Sequence, residues 1–145
     1  IMSLKDGKNK MSKSDPSDLS RINLTDNKEE IINKIKKAKT DNDPLPDDDN
    51  SLDKRPEVEN LLGIYSSLSG QSLKDSISEF SGKNFSEFKV KLSELVVEKI
   101  SPISNEINKL LKDTNYIDTV LEEGSKKANI IASKKVDQIK KIIGF

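Results

Sequence analysis

The chain has 145 residues, enough for one domain with a real hydrophobic core, and its 25 basic and 25 acidic side chains give a formal net charge of zero. The absence of cysteine and histidine excludes disulfide bonds, thiolate metal sites and catalysis by a Ser-His-Asp triad. No apolar run approaches the roughly 18 to 20 residues that span a membrane, and nothing at the start resembles a signal peptide, so we expect a cytoplasmic protein.

The charges are unevenly distributed along the chain. Residues 1–40 carry ten basic and six acidic side chains, a net charge of +4, whereas residues 41–60 carry two and eight, a net charge of −6. Residues 61–145 carry thirteen and eleven, a net charge of +2. Any RNA would therefore be attracted by local basic patches and not by the field of the whole chain.

Residues 1–24 are predicted to be irregular, apart from the end of a strand at residues 1–4. Within them, Lys10 and Lys13 lie three positions apart, with the hydroxyls of Ser12 and Ser14 between and after them. Lysine ammoniums suit phosphate oxygens, and serine hydroxyls and backbone N–H groups can complete an anion-binding concavity. The pattern therefore indicates a mobile phosphate-binding loop, although a plain solvated loop can have the same composition.

A basic helix is predicted over residues 25–40. Asp26 and Glu29 have the spacing of a capping box. The apolar face is formed at helical period by Ile31, Ile32, Ile35 and Ala38. Lysines that suit the helix dipole, and that are candidate RNA phosphate contacts, crowd its carboxyl end: Lys34, Lys36, Lys37 and Lys39.

Residues 41–55 contain six aspartates and two prolines, which predicts an exposed, mobile linker. No aspartate in it has the glycine and glutamate that a calcium-binding EF-hand loop requires at its sixth and twelfth positions. We therefore predict no metal site in this segment.

Residues 56–145 are predicted to form an antiparallel bundle of four helices. Pro56 suits a first helical position and Gly70 a helix end, and Ser72 with Asp75 caps the next helix, which Gly82 ends. The core residues of these two helices are expected to be Val58, Leu61, Leu62, Tyr65, Leu68, Leu73, Ile77 and Phe80.

The two remaining helices are longer. One opens at Ser86, where Phe85 and Val90 have the spacing of a hydrophobic staple, and Pro102 is expected to bend or break it. The other runs from Thr114 to Ile142. Its apolar stripe, which we interpret as core, comprises Ile117, Val120, Leu121, Gly124, Ala128, Ile131, Ala132, Val136, Ile139 and Ile143.

Several blocks together carry a resemblance to a known family. They are Lys-Met-Ser-Lys-Ser at residues 10–14 followed by Asp15-Pro16, then residues 22–24, 36–41, 60–65, 69–72, 88–89, 102–103, 120–124 and 127–128. In this order and spacing, across essentially all 145 residues, the chain resembles the carboxyl-terminal part of bacterial-type tryptophanyl-tRNA synthetases, which are class I aminoacyl-tRNA synthetases. The pentapeptide is similar to the second signature of that class, which grips the phosphates of ATP.

The resemblance implies roles for six residues. Lys10 and Lys13 would be catalytic phosphate ligands, with Lys13 tracking the pyrophosphate as it leaves. Ser12 and Ser14 would donate hydrogen bonds to the phosphates. Met11 would lie near the adenine, and Ile1 would contact the adenine through its backbone. No protein ligand for Mg²⁺, which is expected to accompany ATP, is identified.

The resemblance also implies what this sequence lacks. The first signature of the class, His-Ile-Gly-His or a variant of it, is not here, because the chain has no histidine. We therefore expect a carboxyl-terminal fragment of a tryptophan–tRNA ligase that is inactive alone, with the Rossmann domain and tryptophan pocket upstream of Ile1. On this reading residues 1–24 end the catalytic domain and residues 56–145 bind the tRNA anticodon. The full-length protein is expected to be a homodimer and to have no contact with membranes.

Two other interpretations remain open. Another class I enzyme, such as the tyrosyl-tRNA synthetase, shares this architecture, although the block at residues 60–65 favours the tryptophanyl enzyme. The chain could instead be a non-catalytic helical interaction module with a decayed loop. The intact Lys10, Ser12, Lys13 and Ser14 argue against decay. No anticodon-reading residue can be named from the sequence.

Overall fold

The computed structural model describes residues 1–144, which contain five α-helices and one two-stranded sheet. The elements are β1 Met2–Ser3, β2 Asp6–Lys10, α1 Lys28–Lys37, α2 Pro56–Ser69, α3 Leu73–Phe80, α4 Phe85–Lys112 and α5 Thr114–Ile143. Short 3-10 turns occur at Asp18–Ser20 and Leu52–Lys54. The predicted mainly α fold is confirmed. The chain divides into two compact units, residues 1–105 and the segment from residue 106 onward.

Strands β1 and β2 form an antiparallel hairpin that the sequence only half predicted. Met2 pairs with Lys10 and Ser3 with Asp6, with an irregularity between the two pairs. The expectation of irregular chain after residue 4 is wrong for β2, because its sequence, Asp-Gly-Lys-Asn-Lys, lacks the apolar alternation that marks a strand. Contacts to distant residues, described below, hold it in place.

The capping box of helix α1 lies one residue later than the one we predicted. Its N-cap is Asn27, whose side chain accepts a hydrogen bond from the Glu30 N–H, while Glu30 accepts one from the Asn27 N–H. Asp26, the predicted cap, is instead buried. The motif was right and its register was wrong by one residue, because Asn and Asp are comparable N-cap residues.

The caps of α2 and α3 follow the sequence signals. Pro56 occupies the first turn of α2, and Gly70 ends that helix with φ 77°, a left-handed conformation that glycine adopts at little cost. The Ser72 side chain caps α3 by accepting a hydrogen bond from the Asp75 N–H, at 3.1 Å. These local predictions are confirmed.

The core of residues 1–105 is built around an aromatic cluster. The Phe80 ring meets those of Tyr65 and Phe88 edge-on, each with a centroid distance of 4.8 Å. The Tyr65 hydroxyl donates to Glu79 Oε1 at 3.2 Å, so its ring packs in the core as predicted while its polar end stays at the surface. Apolar side chains buried with this cluster include Ile31, Ile35, Val58, Leu61, Leu62, Ile77, Leu92 and Val96.

The sequence suggested that the acidic segment 41–55 is exposed throughout, but parts of it are buried. Leu45 and Leu52 are buried, and the Leu45 N–H donates to Lys83 O at 3.0 Å. Arg55 makes a two-pronged contact with Asp41, from Nε to Oδ2 at 2.8 Å and from Nη2 to Oδ1 at 2.5 Å. The segment has the composition of a free linker, but two leucines anchor it in the core and one arginine ties its two ends together.

Helix α4 differs from the sequence prediction at two points. Phe85 is its first residue and Val90 is 56% exposed, so the predicted staple does not form. The helix also continues through Pro102 without a break. Two residues further on, buried Ser104 donates its hydroxyl to Asp26 O at 3.0 Å, which fixes α4 to the start of α1.

Helix α5 is capped at its start by Asp113, which accepts a hydrogen bond from the Tyr116 N–H at 3.0 Å. None of its residues is buried within this chain. Side chains of its apolar stripe such as Leu121, at 64% exposure, and Ile131, at 74%, lie open. The predicted burial of this stripe is therefore not found within this chain.

Candidate nucleotide-binding loop

The signature loop, residues 10–14, leaves the hairpin at its open end. Lys10 is the last residue of β2, and the chain then turns tightly about Ser12. Ser12 Oγ lies 2.9 Å from Ser14 Oγ and accepts a hydrogen bond from the Ser14 N–H at 3.3 Å. The turn places both hydroxyls on one side of the loop, where they can reach the same anion.

The two signature lysines are available for a ligand. Lys10 and Lys13 are both exposed, and within the described residues neither forms an ion pair. Their contrast with Lys34 and Lys39, which are paired with carboxylates, is clear. Two such ammoniums on a tight turn are suited to a polyphosphate. No ion pair within the described residues has to break before they bind a ligand.

Ile1 and Met11 are brought together by the hairpin. The Met11 N–H donates to Ile1 O at 3.3 Å, which extends the strand pairing by one residue. Both residues line an apolar cavity of about 700 Å³, together with Ile22, Leu24, Ile64 and Leu68. All six residues singled out by sequence therefore lie at one end of the hairpin. Ile1 and Met11, the two that were assigned to the adenine, line the apolar cavity.

The base of the hairpin is fixed by helix α2. Gly7 packs so closely on the first turn of α2 that an added Cβ would lie 2.5 Å from backbone atoms of Pro56 and Glu57. Asn60 hydrogen bonds to the backbone of β1. Sequence reasoning quoted Asn60 only as part of a family block and assigned it no role, because no local pattern shows that residues 2 and 60 meet.

The chain that leaves the loop is held by a polar network. Arg21 Nη1 donates to Asp15 O at 3.1 Å, and its Nη2 lies 3.3 Å from Asp18 Oδ1. Lys34 Nζ then contacts both Asp18, at 2.6 Å, and Asp26, at 2.5 Å. The loop is thus connected through Arg21 and Asp18 to a buried lysine on α1.

The sequence suggested that Lys34 contacts RNA phosphates. Its place in this network shows that it does not. Its side chain is only 4% exposed. Burial alone would lower the pKa of Lys34, but the hydrogen bonds and charges of Asp18 and Asp26 outweigh burial and raise that pKa. The same contact lowers the pKa of Asp18. The helical pattern had placed this lysine with its exposed neighbours Lys36 and Lys37, which remain open to solvent.

The end of α1 is held by a lysine whose ammonium has no acidic partner within residues 1–144. Lys89 Nζ donates to Ala38 O at 2.6 Å, Lys36 O at 3.3 Å and Thr40 Oγ1 at 3.2 Å. Burial lowers the pKa of Lys89. The cation satisfies the last carbonyls of α1, where the helix dipole favours positive charge.

Residues 1–144 contain neither a candidate metal site nor a membrane-spanning helix. No group of three or more His, Cys, Asp or Glu side chains there is arranged to hold a metal ion. No helix in that range combines the length and the hydropathy needed to cross a membrane.

Comparison with known proteins decides the family. The family model described as tRNA synthetases class I (W and Y) matches residues 1–131. The chain belongs to this family. The match includes the hairpin, the signature loop and most of the helical region, so the class I synthetase resemblance read from the sequence is confirmed.

Individual relatives of this class I synthetase chain are named tryptophan–tRNA ligase. Those of Agrobacterium fabrum, Mesorhizobium japonicum and Rickettsia conorii are 52%, 50% and 46% identical over 145 residues. Each alignment covers 100% of this chain but only 41%, 41% and 43% of the relative. The chain therefore spans about two fifths of the length of the curated relatives it matches.

A solved structure agrees with the fold. The crystal structure of tryptophanyl-tRNA synthetase from Mycoplasma pneumoniae matches with a TM-score of 0.61 at 28% sequence identity. The match covers 75% of this chain and 35% of that chain.

Proposed function

We propose that this chain is the carboxyl-terminal part of a tryptophan–tRNA ligase, and that it supplies the ATP-phosphate loop and the tRNA-binding helices. The observation that carries the proposal is a signature loop with two exposed lysines that form no ion pair within residues 1–144, in a chain that aligns over its whole length with tryptophan–tRNA ligases. Alone the chain is inactive, because the tryptophan pocket and the other half of the ATP site lie in the remaining part of the protein.

In the activation step, the carboxylate of tryptophan attacks the α-phosphorus of ATP. A new oxygen–phosphorus bond forms, the bond to pyrophosphate breaks, and negative charge builds on the leaving oxygens. Positioning and charge stabilisation dominate such a step. Lys10 and Lys13 meet this charge, and Lys13 follows the departing pyrophosphate at the exposed tip of the turn. Ser12 and Ser14 exchange the contact between their hydroxyls for hydrogen bonds to phosphate.

The adenine end of the ATP lies at the hairpin. Met11 and the backbone of Ile1 contact the base, since both border the same apolar hollow. Mg²⁺ would accompany ATP, bound to its phosphates. Within residues 1–144, no three His, Cys, Asp or Glu side chains are grouped so that they could hold it.

The remaining segments serve the tRNA step. Residues 1–24 complete the catalytic domain, residues 25–40 form a connecting basic helix, residues 41–55 form a link, and residues 56–145 contact the anticodon arm of the tRNA. Lys36 and Lys37 are exposed and available for phosphate contacts, whereas Lys34 is not. The full-length protein works in the cytoplasm as a homodimer.

The proposal is tested with Lys13→Ala in the full-length protein. Removing one charge aimed at a transition state costs about 3 to 4 kcal/mol, so we expect activation to slow by about 100-fold or more while tryptophan binding is unchanged. Stopped-flow measurement of tryptophan activation gives both quantities.

Lys8→Ala is the matched control, because Lys8 is an exposed lysine on β2, the strand that leads into the signature loop, and has no assigned role. It should retain the activation rate within about twofold. A loss of tenfold or less in Lys13→Ala would contradict the assignment. Activation of tyrosine in place of tryptophan would favour the tyrosyl alternative, and activation of neither would favour a non-catalytic module.

A further inference from the structure

Asn60 joins helix α2 to the backbone of β1 from 58 residues away in the chain. Its Oδ1 accepts a hydrogen bond from the Met2 N–H at 3.1 Å. Its Nδ2 donates to Met2 O at 3.3 Å and to Ser3 O at 3.4 Å. One primary amide thus both accepts from and donates to the main chain of Met2, as a neighbouring strand would.

This contact matters because it holds the edge of β1 that faces away from β2, whereas the hairpin turn is held separately by the hydrogen bonds of Leu4 to Ser20 and Lys39. A two-stranded sheet is marginally stable alone, and β1 has only two residues. On one edge β1 pairs with β2, where Met2 faces Lys10. On the other edge it has Asn60. Removing the amide leaves the Met2 N–H, which is partly buried, without its partner.

The path from Asn60 to the signature loop is short. Asn60 fixes Met2, whose neighbour Ile1 accepts a hydrogen bond from the Met11 N–H. Met2 itself pairs with Lys10. A shift of Met2 therefore moves the Ile1 backbone and the base of the loop together. The close packing of Gly7 on Pro56 and Glu57 holds the second strand to the same helix.

We propose that Asn60 is a positioning residue for ATP: through Met2 it sets the adenine-contacting backbone at Ile1 and the first lysine of the signature loop relative to helix α2. This inference rests on the function proposed above and deepens it. In this proposal Asn60, which lines the same cavity as Ile1 and Met11, acts through the backbone of Met2. Its loss therefore affects the use of ATP selectively, which a purely structural asparagine would not do.

The test uses the full-length protein and the variant Asn60→Asp. Aspartate keeps the size and the acceptor but cannot donate to the carbonyls of Met2 and Ser3, and it sets a negative charge beside them. We expect KM for ATP to rise about tenfold, the equivalent of one lost buried hydrogen bond, while KM for tryptophan stays within about twofold. ATP–pyrophosphate exchange with each substrate varied in turn measures both constants.

Asn60→Ser is the second variant, because it removes the amide without adding a charge. Phe80→Leu is the matched control, since it loosens the aromatic cluster without touching the hairpin. The control should lower the melting temperature and leave the ratio of the two KM values unchanged. Both Asn60 variants should shift that ratio at assay temperatures well below their own melting temperatures.

The results separate the two proposals. If both Asn60 variants leave KM for ATP at the value of Phe80→Leu, or raise both KM values equally, Asn60 is not a positioning residue for ATP. Should Lys13→Ala slow activation by 100-fold or more in the same assays, the proposed function stands and only the inference about Asn60 falls. If Lys13→Ala has no effect, the proposed function itself has failed.

Discussion

The signature loop, residues 10–14, which we call the tip, and the hairpin with its supports on α1 and α2, which we call the base, differ sharply in how they are held. At the tip, Lys10 and Lys13 are exposed and make no ion pair within the described residues. At the base, Asn60 and the first turn of α2 fix both strands, and Arg21 leads from the loop exit to a buried lysine. The difference suits the role proposed for the loop, which is to close on a nucleotide and release its product while its attachment stays fixed.

This contrast implies that stability and activity depend on different lysines. Substituting the buried lysine of the base, Lys34, should cost free energy of unfolding, and substituting a lysine of the tip should cost rate. A lysine that affected both equally, or neither, would remove the distinction.

The largest effect is expected for Lys34→Met. The side chains of Lys34 and Asp26 are 4% and 7% exposed, so removing the lysine leaves a buried carboxylate without its cation. Breaking a buried pair in this way costs about 3 to 5 kcal/mol. We expect the free energy of unfolding, measured by urea denaturation, to fall by about 3 kcal/mol.

Lys36→Met is the control for this substitution, because Lys36 lies two residues away on the same helix but is exposed. It should change the free energy of unfolding by less than about 0.5 kcal/mol. Equal effects of the two substitutions would mean that the contacts of Lys34 with Asp18 and Asp26 add no net stability.

A smaller effect is expected from acid. The hydrogen bonds of Arg55 lower the pKa of Asp41, and those of Lys34 lower the pKa of Asp18. A carboxyl group whose pKa is lower in the folded state stabilises the fold above its unfolded value of about 4 and loses that contribution as the pH falls. The free energy of unfolding should therefore decrease from pH 5 to pH 3, by a modest amount because both carboxylates are partly exposed.

Arg55→Met tests the source of this acid sensitivity. Without its guanidinium the pKa of Asp41 returns toward its ordinary value, so the difference in proton binding at Asp41 between the folded and unfolded states shrinks. Urea denaturation of this variant between pH 5 and pH 3 should show a shallower loss of stability than the unsubstituted chain. An unchanged slope would show that the contact between Arg55 and Asp41 does not contribute.

The features that sequence reasoning found are those with local signals. Pro56, Gly70 and the pair of Ser72 with Asp75 mark helix ends through contacts within a few residues, so a pattern can reveal them. The signature loop was found because its residues are contiguous. The apolar stripe of α5 was also found, but periodicity shows only which face is apolar and not whether this chain covers it.

The features that sequence reasoning missed depend on residues far apart in the chain. Strand β2 exists because a polar pentapeptide pairs with β1 and packs on α2 through Gly7. Asn60 meets Met2 across 58 residues, and Lys34 finds Asp18 across sixteen positions that no helical spacing connects. A lysine among three others at a helix end gives no local sign that it alone is buried. Tertiary packing decides such positions, and one sequence does not display it.

The smallest change in stability is expected for Lys13→Ala, the substitution with the largest expected effect on rate. Lys13 is exposed and forms no ion pair within residues 1–144, so folding does not depend on it. Its free energy of unfolding should match that of the unsubstituted chain within about 0.5 kcal/mol in urea denaturation. A loss of 2 kcal/mol or more would mean that the tip is held as firmly as the base, and a slow activation rate could then reflect unfolding. An unchanged stability together with slow activation would assign the effect to the loss of the ammonium and not to unfolding, because the fold would be intact.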